Sequence, residues 1–238
     1  MKPLPKTWDA IFEKRLSVPV EYARALTWLE SGQDPRQKTG SHWGLFQVGP
    51  ENLADYNKAS GTSWTMEDML DPDRNAQVFA FESERIRAAL VGAGLAENWQ
   101  DRNWVRLFTA GWNSGYSNTA GVGKVLRWLK ANGKELTHDN VFMFAKQAGG
   151  HWTLQSGNSK AAAKYKWQRD VAATYAAEAV PRDAWAQWET ARVPLSDAAG
   201  TTAPVPAPER AQGNEPGGGG GGLLLIIIVL LLLAGRRR

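Results

Sequence analysis

The sequence predicts a mainly α-helical domain with one small β-hairpin, followed by a linker and a C-terminal hydrophobic segment. Three observations carry this expectation. Apolar residues recur at helical spacing through most of the first 190 positions. Capping signals open and close those runs. A single glycine-rich, β-compatible stretch, residues 40–50, interrupts them.

The elements follow in order. Pro19 suits the first position of a helix, and Val20, Ala23, Leu26 and Glu30 then share one face. Ser31-Gly32 ends that helix. Gly40 to Pro50 reads as a turn or short hairpin. Asp71-Pro72 sets an N-cap before a proline, and Ala76, Phe79, Ser83, Ile86 and Leu90 keep the helical period after it. Trp104, Leu107, Phe108, Gly111 and Trp112 make another stripe. Val122, Leu126 and Leu129 make a shorter one, closed by Asn132-Gly133. An alanine-rich helix is expected from about Asn158 to Val180. A domain of this size and pattern buries a substantial core.

Composition changes beyond residue 190. Residues 191–222 are rich in alanine, proline and glycine and read as a flexible, partly extended linker. Residues 223–235 follow as an anchor: Leu223–Ala234 has no polar side chain, and Arg236–Arg238 close the chain. From Pro216 to Gly235 there are 20 uncharged residues, enough as a helix to match a bilayer core. The expected partner of Leu223–Ala234 is therefore a lipid membrane. Arginines after a span predict that this end is cytoplasmic and the domain lies on the other side. Met1–Lys6 lacks the apolar core of a secretory signal.

Several chemistries are excluded early. The chain has no cysteine, which removes a disulfide framework, a thiolate zinc site and a cysteine nucleophile. Its three histidines, His42, His138 and His151, lack metal-ligand spacing, so neither a metal nor a cofactor is expected. His42 and His151 read as surface or hydrogen-bonding residues. Setting aside the three terminal arginines leaves 25 of the 28 basic residues against 24 acidic ones, so no nucleic-acid surface is expected.

Glu30 is the most informative residue. It ends an apolar helical face, where a carboxyl aimed at a cleft wall is desolvated and holds its proton more tightly. A general acid needs that state near neutral pH. Around it fall four ordered blocks: Glu30-Ser31-Gly32, then Gly44-Leu45-Phe46-Gln47-Val48-Gly49-Pro50, then Asp71-Pro72 with Asn75, then Ala110-Gly111-Trp112-Asn113-Ser114-Gly115.

These blocks, over residues 18–135, resemble the lysozyme-like lytic transglycosylases of the soluble-lytic-transglycosylase (SLT) family. The resemblance implies an α+β lysozyme-like fold and peptidoglycan as substrate, cut between N-acetylmuramic acid and N-acetylglucosamine to give 1,6-anhydromuramyl ends. It makes Glu30 the single catalytic acid/base and has Ser31 support the start of the loop. Gly44, Leu45 and Phe46 line the glycan groove through their backbone, beside Gln47, while Asn113 holds the loop opposite Glu30. Two replacements stand out. Trp112 occupies the family's tyrosine position, removing a hydroxyl that would bond the acid, and Phe46 stands for methionine.

A lysozyme-type hydrolase needs a second carboxylate near the first. No acidic residue lies between Asp34 and Glu51, and Asp34-Pro35 reads as turn chemistry. This favours a one-acid transglycosylase. Of the 12 tryptophans, Trp43 and Trp112 are expected as walls of the groove; Trp28, Trp104 and Trp128 fall on helical stripes as core; Trp185 and Trp188 receive no role. The alternatives are a hydrolase, or a non-catalytic wall-binding or structural virion protein with the same fold. A C-terminal span without an export segment is similar to virion-associated transglycosylases of membrane-containing phages. The expected location is a phage's internal membrane, or a bacterial membrane facing the periplasm.

Overall fold

Several helix starts carry a side-chain cap. The computed structural model describes residues 1–184 and is mainly helical. In chain order it runs β1 (Lys2–Pro3), α1 (Asp9–Arg15), α2 (Val20–Ser31), β2 (Lys38–Thr39), β3 (His42–Trp43), α3 (Pro50–Ser60), a 3-10 turn (Met66–Leu70), α4 (Pro72–Gly92), α5 (Arg102–Ser114), α6 (Val122–Ala131), α7 (His138–Phe144), a second 3-10 turn (Trp152–Leu154), α8 (Ser159–Ala177) and β4 (Ala179–Val180). Asp71 caps α4 by accepting from the backbone N–H groups of Asp73 and Arg74. Asn158 caps α8 in the same way. Gly32, in the left-handed region at φ 61°, closes α2.

The hairpin is small. β2 and β3 pair antiparallel, Lys38 opposite Trp43, and a bridge between Trp43 and Val48 carries the chain to α3. The other pairing joins β1 to β4, Lys2 opposite Val180. The compact unit that contains all these elements is Met1–Val180. Its boundary comes ten positions before the 190 expected from composition.

The core that positions the site is aromatic. Phe46 stacks on Phe79 of α4, ring centroids 4.0 Å apart and nearly parallel. Phe79 meets Trp112 of α5 edge-on at 5.0 Å. Tyr22 of α2 is fully buried against Phe108, its hydroxyl 3.0 Å from that of Thr109. Helix α8 packs on both α5 and α2. Trp104 is core as expected, while Trp28 and Trp128 are only half-buried.

Among the described residues, no helix is long and apolar enough to cross a membrane. The linker 191–222, the segment 223–235, Trp185 and Trp188 lie outside the described residues.

Candidate active site

Glu30 is the penultimate residue of α2, half-buried, with its carboxyl turned among neighbouring helices. Burial is the main influence on it and raises its pKa from 4.5 to about 8; the Trp112 indole and the Lys164 charge pull in the opposite direction. At neutral pH it is therefore largely a neutral acid with a proton to give.

The loop after α2 is fastened to it. Ser31 Oγ donates to the Leu45 carbonyl at 2.9 Å and to the Thr27 carbonyl at 3.0 Å, tying the helix end to the second motif block. Asn75, fully buried on α4, holds the same block from behind. Its Oδ1 accepts from the Phe46 N–H at 2.9 Å, and its Nδ2 donates to the carbonyls of Trp43 at 3.0 Å and Met69 at 2.9 Å. Gly44 sits against this amide at φ 82°; a Cβ there would lie 2.1 Å from the Met69 carbonyl oxygen. Only glycine fits.

The other sequence-predicted residues fall into two groups. Leu45 and Phe46 have fully buried side chains, so only their backbone can face a ligand. Gln47 is 6% exposed and left-handed at φ 52°. Its Nε2 donates to the carbonyls of Gly44 at 2.9 Å and Gln37 at 3.1 Å, bracing the loop from inside. Trp43 is half-buried, its Nε1 donates to the Gly40 carbonyl, and the Lys38 amine lies 3.6 Å over its ring.

Trp112 takes a different part from the one expected. Its indole N–H donates to Glu30 Oε1 at 3.0 Å, so the residue that lacks the tyrosine hydroxyl bonds the acid after all. The indole carries its donor at the ring edge, so this side chain bonds the acid without a hydroxyl. Asn113 turns away from the loop, towards α8. Its Oδ1 accepts from Gln168 Nε2 at 2.7 Å, and its carbonyl accepts from the Lys164 amine.

Lys164, Gln168 and His138 are the site residues that sequence reasoning missed. Lys164 is half-buried; desolvation lowers its pKa and the Glu30 charge opposes that. Burial, and after it the charge of the same ammonium, holds His42 and His151 below their ordinary values. Both make the local contacts expected of them: His42 Nδ1 lies 3.3 Å from Ser41 Oγ, and His151 Nδ1 lies 2.8 Å from Thr153 Oγ1. Trp152, beside His151, is 43% exposed and carries Lys160 over its ring.

Other carboxyls are occupied elsewhere. Asp34 Oδ1 accepts from the Arg36 N–H at 2.8 Å, a turn bond of the kind its sequence predicts. Glu82 is buried on α4 with a raised pKa, burial being the main cause, and is held by Arg85 at 3.0 Å and by Tyr116. Glu51 is exposed, and its charge bears on His42. Among the described residues, no group of three His, Cys, Asp or Glu is placed to hold a metal ion.

What the arrangement can do is proton transfer: one desolvated carboxyl, steered by one donor, within the field of one ammonium. No protein-family model matches the chain, and no curated protein matches it.

Proposed function

We propose that the chain is a peptidoglycan lytic transglycosylase of lysozyme-like fold, with Glu30 as its only catalytic acid and base. The observation that carries this reading is the Glu30 carboxyl at the end of α2, bonded to the Trp112 indole at 3.0 Å in surroundings whose burial raises its pKa. Glu30 gives its proton to the glycosidic oxygen, and the bond from that oxygen to C1 of N-acetylmuramic acid breaks. The resulting carboxylate then takes the proton of the same sugar's 6-hydroxyl as that oxygen closes on C1. The product is a 1,6-anhydro ring, no water is consumed, and Glu30 ends protonated. The order of the four motif blocks supports the assignment, as does the engagement of Asp34 and Glu82 with their own partners.

Residues Leu223–Ala234 are the membrane segment of this proposal and 191–222 its leash, in a setting such as the internal membrane of a phage particle. Recovery of the protein from purified lipid-containing particles tests the setting.

Glu30→Gln tests the chemistry: muropeptide release from purified sacculi falls about a thousandfold, in the range a lost acid costs, with the fold intact. Unchanged release ends the assignment. Mass spectrometry separates the enzymes, since anhydro ends identify a transglycosylase and reducing ends a hydrolase.

A further inference from the structure

The motif blocks end at Gly115, yet helix α8 completes the surroundings of the acid. Lys164 and Gln168 stand four residues apart on α8 and so share a face. Both reach Asn113, the neighbour of Trp112. The Lys164 amine donates to the Asn113 main-chain carbonyl, and Gln168 Nε2 donates to the Asn113 side chain at 2.7 Å. Gln168 is 3% exposed and fixed from its other end, 2.6 Å from His138 Nε2. With its amide nitrogen turned to Asn113, its oxygen accepts from His138, which places that imidazole's proton on Nε2.

Asn113 lies in the last turn of α5, where carbonyls have no partner within the helix and a cation is favoured by the helix dipole. The amine that caps this end is also the one whose charge acts on Glu30. One side chain thus bonds the end of α5 and bears electrostatically on the acid.

We propose that Lys164 is a positioning residue of the candidate acid: it caps α5 at Asn113, thereby seating Trp112 on Glu30, and its ammonium stabilises the carboxylate left when Glu30 gives up its proton. The role in turnover rests on the reading of Glu30 as the catalytic acid; the electrostatic coupling does not. The charged and titratable groups around the pair are Tyr22 on α2, His42 on the hairpin and His151 at the second 3-10 turn. Both histidines are held towards their neutral form, so Lys164 supplies the positive charge.

The experiment follows the Trp112 indole N–H by NMR in the full ¹⁵N-tryptophan-labelled chain, with Trp112→Phe to assign the resonance. In the unsubstituted protein the resonance reports ionisation of Glu30 with a midpoint near 8. Lys164→Met moves the midpoint up by about half a pH unit or more, since a nearby opposite charge favours the ionised form. Lys164→Gln keeps a donor for the Asn113 carbonyl and loses only the charge; it moves the midpoint the same way and preserves the comparison if the methionine variant does not fold. Lys164→Arg restores it. The alkaline limb of the pH–rate profile moves with the midpoint in each variant. A midpoint unchanged in Lys164→Gln, or shifted equally in Lys164→Arg, overturns the proposal. Coupled midpoints in a protein that releases no muropeptide would instead retire the enzymatic reading and leave the coupling standing.

Discussion

The Trp112 indole N–H donates to Glu30 Oε1 at 3.0 Å across 82 positions of sequence. An indole nitrogen only donates, whereas a phenol both donates and accepts. Trp112 can therefore steady the carboxyl and favour its ionised form, but it cannot receive the proton. Every proton that leaves Glu30 goes to something other than its nearest protein partner.

Removing that donor has two consequences. Trp112→Phe lowers turnover on sacculi by about 10- to 100-fold, the worth of a hydrogen bond to a charged group. It also moves the alkaline limb upwards, because the indole holds the carboxyl below where burial alone would put it. The pH–rate profile reads both. A profile that keeps its limb would show that the indole is a groove wall and nothing more.

Stability should carry the mark of the same carboxyl. In the folded chain Glu30 holds its proton up to about 8, far above its ordinary 4.5. Its contribution to stability is then complete below 4.5, declines between 4.5 and 8, and is gone above 8. Glutamine cannot ionise. Glu30→Gln should melt with the unsubstituted protein at pH 4 and above it at pH 9, by at least about 1 kcal/mol or roughly 2–4 °C. Equal melting at both pH values would contradict a desolvated acid.

Asn75 joins three backbone groups from two segments, the 43–46 loop and the first 3-10 turn. Asn75→Leu takes this partner from the Phe46 N–H and the Met69 carbonyl, while the Trp43 carbonyl keeps the Val48 N–H, and should cost about 2–4 kcal/mol. Gly44→Ala meets the same wall from the other side and should be comparably damaging. Chemical denaturation measures both. A loss below about 1 kcal/mol would mean that the loop has other support.

Trp43 shares its ring with Lys38, and both lie on the hairpin rather than in the core. Trp43→Ala should weaken retention on sacculi about fivefold, worth roughly 1 kcal/mol of aromatic contact, with little change in melting. A large fall in melting temperature would make it structural instead.

The sequence exposed the parts of the site that depend on local chemistry. Asp71 and Asn158 announce their helices because capping is a matter of two or three adjacent residues. Glu30 stands out because a helical face ends on it. Leu45 and Phe46 were legible as a loop, but their complete burial was not, since it depends on Phe79 arriving from α4. Lys164 gave no signal at all. A lysine in an alanine-rich helix looks solvated, and only the packing of α8 on α5 brings it to a residue 51 positions earlier. Trp112 misled for a simpler reason: the loss of a hydroxyl was legible, and the reach of the indole that replaces it was not.

The pairing of β1 with β4 gives the domain a freedom that its helices conceal. Lys2 lies opposite Val180, so the two ends of the compact unit are neighbours in space. A short bridge could join them, and the chain could be reopened at the exposed turn around Gly133 without cutting any helix of the site. Such a circular permutant would bring α8 into the chain before α2, with Lys164 and Glu30 in reversed order and the same geometry. It would separate what the fold owes to contacts from what it owes to the order of synthesis.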